Sequence, residues 1–199
     1  MKNNSIIALA LIFILAIACK TDKKETDANA ESNVEYQESN DAKDSSADTD
    51  KKVQVMLSAK SGSNVTGNAI FKQKGTLVSM TAIITGLDEG VHAIHLHAES
   101  DCSSDDGKST GGHWNPTAQP HGEWGTEAGY HKGDIGNFTA NANGQGTITF
   151  VTDQWCIGCG DETKDILGKG IIVHQGTDDF ISQPSGAAGS RVSCGGVIE

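Results

Sequence analysis

The sequence predicts an all-β domain, an antiparallel β-sandwich or flattened barrel of about eight strands with two long functional loops. Three observations point there. Short runs rich in Val, Ile and Thr recur between turn residues; glycine is abundant, at 24 of 199 residues; and no segment of any length carries a helical stripe. Strands that follow one another without intervening helices pack sheet against sheet.

The chain opens on Lys2 and then an unbroken apolar run of 13 residues, Ile6–Ala18. Such a run is short for a membrane span and fits the apolar core of an export signal over residues 1–18. Ala16-Ile17-Ala18-Cys19 resembles a bacterial lipoprotein signal, which implies that Cys19 is lipidated and becomes the mature N-terminus. An ordinary cleaved signal with an incidental cysteine is the alternative. Both readings export the domain and permit disulfides. They place it in the cell envelope, lipid-anchored to the outer membrane or facing the periplasm.

Residues 19–52 read as a disordered acidic tether. Lys20–Lys52 holds ten acidic and six basic residues, with Val34 and Tyr36 as its large apolar side chains. That composition cannot bury enough surface to offset the entropy of ordering. A charge-rich tail that binds a partner is the other reading.

The folded domain is expected over residues 53–199. "VQVMLSA" alternates apolar and polar residues, and "NAIFKQ", "TLVSMTAIITGL", "GTITFV" and "GKGIIVH" follow between Gly, Asn and Asp. Ala98–Asn137 and Gln175–Ser190 are not strand-like, and long loops in compact domains are usually functional. Chain net charge is −11, and the part from Val53 is net −8. This argues against nucleic acid and against electrostatic attachment to an anionic membrane.

"GVHAIHLH" (Gly90–His97) crowds three of the seven histidines into one strand. Residues i and i+2 share a face, so His95 and His97 project together while Ile94 and Leu96 point the other way. His92 has the parity of Ile94 and should not join the pair. Two imidazoles alone are weak evidence for a metal. The long loop adds His113, His121, His131 and Asp134, three histidines and a carboxylate that make a complete tetrahedral set for zinc. His174 follows at a strand end, with Asp178 and Asp179 after it.

Taken together, "HAIHLH", "GGHWNP", "HG" at His121, "HKGDIGN", "VHQGTDD" and "GAAGSRVSCGGVI" resemble copper/zinc superoxide dismutases. The motifs stand in family order across Val53–Glu199. The resemblance implies a Greek-key sandwich and dismutation of superoxide to oxygen and hydrogen peroxide, protecting the cell envelope. It implies copper on His95, His97, His113 and His174, and zinc on His113, His121, His131 and Asp134. His113 would then bridge the metals and serve as a proton donor. Copper cycles between two oxidation states and zinc does not. Arg191, the only arginine in the chain, aligns with the arginine that positions the superoxide anion. Asp178 matches the carboxylate that links His95 to His121, and Asp179 reads as a surface acid. Cys102 and Cys194 match the family disulfide. The sandwich faces would also allow a homodimer.

Cys156 and Cys159, in "WCIGCG", stand outside the family pattern. A small-loop disulfide, a copper-acquiring or redox dithiol, and two free thiols are the three readings. The pair motivates a rival function, a non-catalytic copper-binding or copper-delivery lipoprotein on the same fold. The complete copper set, the closed zinc set and Arg191 argue against it, since a pure binder would have little use for the guanidinium.

Overall fold

A computed structural model describes residues 50–199. The expected signal peptide, Cys19 and most of the expected tether lie outside the described residues. Eight antiparallel strands form a closed barrel: β1 (Lys51–Ala59), β2 (Thr66–Lys74), β3 (Leu77–Thr85), β4 (Gly90–His97), β5 (Gly136–Ala140), β6 (Gly146–Thr152), β7 (Gly170–His174) and β8 (Arg191–Gly196). Strand β1 starts two residues before Val53, because main-chain pairing of Lys51 with Gln73 and Lys52 with Lys72 continues whatever the side chains are.

The order around the barrel is β1-β2-β3-β6-β5-β4-β7-β8. Strand β3 lies beside β6 and β4 beside β7, which is Greek-key connectivity. The seams are thin. β1 meets β8 only at Ser58–Cys194 and Ala59–Ser193, and β5 meets β6 only at Ala140–Gly146. The barrel is therefore flattened into two four-stranded sheets, which reconciles the sandwich and barrel descriptions.

Alternation fills the interior. Phe71, Met80, Ile84, Ile94, Leu96 and Ile171 are fully buried there. Each such side chain contributes roughly 1.5–3 kcal/mol through burial. On β4 the partners of opposite parity, His95 and His97, face outward and are buried all the same, because loops cover that face.

Three long connections leave the strands. Residues 98–135 join β4 to β5 and contain one 3-10 turn, Lys108–Thr110. Residues 175–190 join β7 to β8. The third, residues 153–169, joins β6 to β7 and adds a long loop to the two expected from the sequence; it carries both Cys156 and Cys159. Among the described residues two disulfides are present, Cys102–Cys194 across 92 residues and Cys156–Cys159 across 3. In the chain-entropy picture the first stabilises by about 4.6 kcal/mol and the second by about 1.6 kcal/mol.

Candidate metal centre

The 98–135 loop returns to β4 and pairs with it. His97 and His113 form a bridge, Trp114 N–H donates to Leu96 O at 2.8 Å, and Leu96 N–H donates to Gly133 O at 2.9 Å. A Cβ at Gly133 would stand 3.0 Å from Trp114 N and collide with the Leu96 carbonyl. Glycine is what allows the loop to close this tightly. The closure sets His113 against the outward face of β4, with ring centroids 4.0 Å from His95 and 5.0 Å from His97. His174 comes from β7, the strand paired with β4, at 5.0 Å from His95.

Two groups of ligand atoms result, each within 4.8 Å: His95, His97, His113 and His174, and then His113, His121, His131 and Asp134. His113 belongs to both. Its Nδ1 lies 2.8 Å from Asp134 Oδ1 on the second side, and its Nε2 has no hydrogen-bond partner among the described residues on the first.

The fit to metals rests on unpaired nitrogens. Among the described residues, the buried side-chain polar atoms without a hydrogen-bond partner are six ring nitrogens. They are His95 Nδ1, His97 Nε2, His113 Nε2, His121 Nδ1, His131 Nδ1 and His174 Nε2. Each orphaned group costs about 1–3 kcal/mol, and six of them would consume a fold whose whole stability is about 5–15 kcal/mol. Coordination resolves the cost. His121 Nδ1 and His131 Nδ1 do lie 3.0 and 3.3 Å from Asp134 carboxylate oxygens, without hydrogen-bond geometry. Those spacings are what neighbouring ligands adopt on a tetrahedral ion with bonds of about 2.0 Å. Four imidazole nitrogens suit copper, and three imidazoles with a carboxylate suit zinc.

The other ring nitrogens are held by protein. His97 Nδ1 is 2.9 Å from Gly111 O and His174 Nδ1 is 3.4 Å from Gly189 O. His95 Nε2 and His121 Nε2 meet the two oxygens of Asp178, at 2.8 and 2.9 Å. Asp178 is itself fixed: its N–H donates to Asn137 Oδ1 at 2.8 Å, and Asn137 Nδ2 donates to its carbonyl at 2.9 Å. Gln183 clamps His121 through its main-chain N–H and carbonyl, each at 2.9 Å. His92 faces carbonyls with both nitrogens, Nδ1 toward His174 O at 3.1 Å and Nε2 toward Asp88 O at 2.9 Å. It has none left for a metal. Asp179 is exposed and caps its own turn through Ser182 and Ile181.

Electrostatics divide the two groups. Burial, the like charge of a protonated His113, and the Arg191 guanidinium hold His97 well below the usual histidine range. Burial, then the neighbouring His95 and His113, does the same to His174. Both imidazoles are neutral at physiological pH and ready to coordinate. Burial lowers His113 to about 4 against the opposing bond to Asp134. His121 is the opposite case. Burial alone would lower it, but Asp134 and Asp178 together raise it to about 9. Burial works to raise both carboxylates, and the histidine hydrogen bonds overcome it and hold them well below the usual carboxylate range.

Arg191 sits beside the copper-type group. A register irregularity at Val173/His174 sets His174 opposite Arg191 across β7 and β8. Such irregularities re-aim side chains. Arg191 Nη1 donates to Gly107 O at 2.9 Å and Thr110 Oγ1 at 3.1 Å, which leaves Nε and Nη2 without a hydrogen-bond partner among the described residues. The Cys102–Cys194 disulfide ties the same loop to the same strand. Gly107, Gly111, Thr110, Gly189 and Gln183 also position the site, and none is among the functional residues expected from the sequence. Most act through main-chain atoms, which leave no residue-type signature. Asn137, Gly111 and Gly189 lie inside the motifs HKGDIGN, GGHWNP and GAAGSRVSCGGVI, whereas Gly107, Thr110 and Gln183 lie outside every one of them.

A family model described as copper/zinc superoxide dismutase matches residues 65–198. Among solved structures, a double mutant of a SOD-like protein from Bacillus subtilis is similar, with a TM-score of 0.64 and 27% sequence identity. The match covers 73% of this chain and 97% of that one.

Proposed function

The chain belongs to the copper/zinc superoxide dismutase family, and we propose that it is a working member, converting two superoxide anions and two protons into oxygen and hydrogen peroxide. The observation that carries the reading is the pair of buried ligand groups sharing His113, with a half-free guanidinium beside one of them. Bound copper supplies one-electron chemistry between its +2 and +1 states, and bound zinc fixes the loop. His95, His97, His113 and His174 would hold copper; His113, His121, His131 and Asp134 would hold zinc. Asp178 orients His95 and His121 through their outer nitrogens. His113 can carry a proton at Nε2, the nitrogen facing the copper side, and hand it to the reduced substrate. Arg191 Nε and Nη2 offer the small anion a local positive field on a domain of net −8.

His174→Ala tests this. The variant should lose copper and dismutation while keeping zinc; unchanged copper content or undiminished dismutation would refute the assignment. The rival reading, a copper-binding or copper-delivery protein without catalysis, draws on the SOD-like name of the Bacillus subtilis relative. Copper and zinc sites both filled with no dismutation would favour it. We also propose that Cys19 anchors the domain by a lipid in the cell envelope. Cys19→Ser should then move the protein from membrane to soluble fractions.

A further inference from the structure

Cys156 and Cys159 stand on the third loop, with Cys156 buried and Cys159 exposed. The loop is braced without its sulfurs. Cys156 N–H donates to Lys164 O at 2.8 Å and Ile166 N–H donates to Cys156 O at 3.0 Å. Asp165 accepts N–H bonds from Gly158, Gly160 and Leu167 at 2.9, 2.8 and 3.1 Å. Ile157 N–H donates to Gln73 Oε1 at 2.7 Å, and Lys51 Nζ donates to Ile157 O at 2.6 Å. Trp155 and Ile157 are sunk in the barrel core. With so many anchors, opening the S–S bond leaves the loop in place and two thiols side by side.

The loop also has a neighbour. Gly160, Asp165 and Leu167 of this loop line a cleft of about 670 Å³ that His113 and Trp114 also line. A sulfur atom of each cysteine and a carboxylate oxygen of Asp165 lie within 4.8 Å of one another.

We propose that the reduced Cys156/Cys159 pair is a second metal site, for Cu(I), on the loop that also lines the cleft reaching His113. Reduction is thiol–disulfide exchange with a dithiol. The S–S bond accepts two electrons and two protons and becomes two thiols, and the dithiol is oxidised to its own disulfide. Cu(I) then replaces the thiol protons, which pass to solvent. Soft thiolates select Cu(I), and two of them satisfy its preference for low coordination. Zinc asks for four ligands. The third group here, Asp165, is already committed to three main-chain N–H groups. The site needs copper at this loop and not turnover, so it stands apart from the dismutase reading.

The test is anaerobic Cu(I) titration of the full-length protein against a cuprous chelator, before and after reduction, for wild type and for Cys156→Ser/Cys159→Ser. Mass spectrometry reports which disulfides have opened. Reduced wild type should bind about one more Cu(I) per chain than the reduced double variant, and the oxidised proteins should match. X-ray absorption of the extra copper should show sulfur neighbours. Equal binding after reduction, or an extra copper with only nitrogen and oxygen neighbours, would overturn the site. Displacement of the extra copper by equimolar Zn(II) would overturn the metal. Cys159→Ser alone, at an exposed position, repeats the comparison if the double variant folds poorly, with the same outcomes deciding.

Discussion

Replacing Asp178 with asparagine should weaken copper more than zinc. Both histidines that meet Asp178 turn Nδ1 toward the ligand groups, so each donates a proton from Nε2. A carboxylate accepts from both. An amide has one oxygen, and its nitrogen is a donor. The oxygen belongs at the Oδ1 position, where two donors converge: His121 Nε2 at 2.9 Å and the Phe180 N–H at 2.8 Å. The amide nitrogen then confronts His95 Nε2, donor against donor. His95 must swing away or move its proton to Nδ1, and either change spoils it as a ligand. Loss of such an outer partner costs about 10- to 100-fold in metal affinity, or about 1.4–2.8 kcal/mol. Competition titrations with chelators for Cu(II) and Zn(II) measure both affinities. Copper should weaken by that factor and zinc by less. Unchanged copper affinity, or a larger loss of zinc, would refute the reasoning.

Other substitutions probe separate parts of the site. Arg191→Ala should retain both metals, by elemental analysis, while dismutation falls by about 100-fold, the usual cost of one well-placed donor; loss of metal instead would undo its role. Gly186→Ala forces a side chain into a left-handed conformation, φ 69°, worth about 1–2 kcal/mol. Its Cβ would strike Asp178 and stand 2.7 Å from His121 Nε2, so calorimetry should show a lower melting temperature together with metal loss. Cys102→Ser/Cys194→Ser should lower stability in denaturant titrations by up to about 4.6 kcal/mol, far more than opening the three-residue Cys156–Cys159 loop.

The strand that presents the site was legible because parity is local. Ile94 and Leu96 enter the core, and His95 and His97 take the other face, as period two requires. The loop ligands were legible by residue type, since few structural roles call for three histidines and a carboxylate together. What holds them was not. The carbonyls of Gly107, Gly111 and Gly189 act through main-chain atoms that any residue possesses. The third loop escaped notice for a different reason. Trp155 and Ile157 are spaced as in a strand, but the buried Cys156 between them breaks the alternation, and Ile166 stands nine residues beyond Ile157 with polar residues between. Only tertiary packing shows that this polar, Gly-containing stretch is anchored in the core.

The most direct test is to measure copper, zinc and superoxide dismutation on one sample of purified full-length protein, before and after copper is added. The account predicts about one ion of each metal per chain and rapid dismutation that rises with copper content. Full occupancy of both sites without dismutation would contradict it.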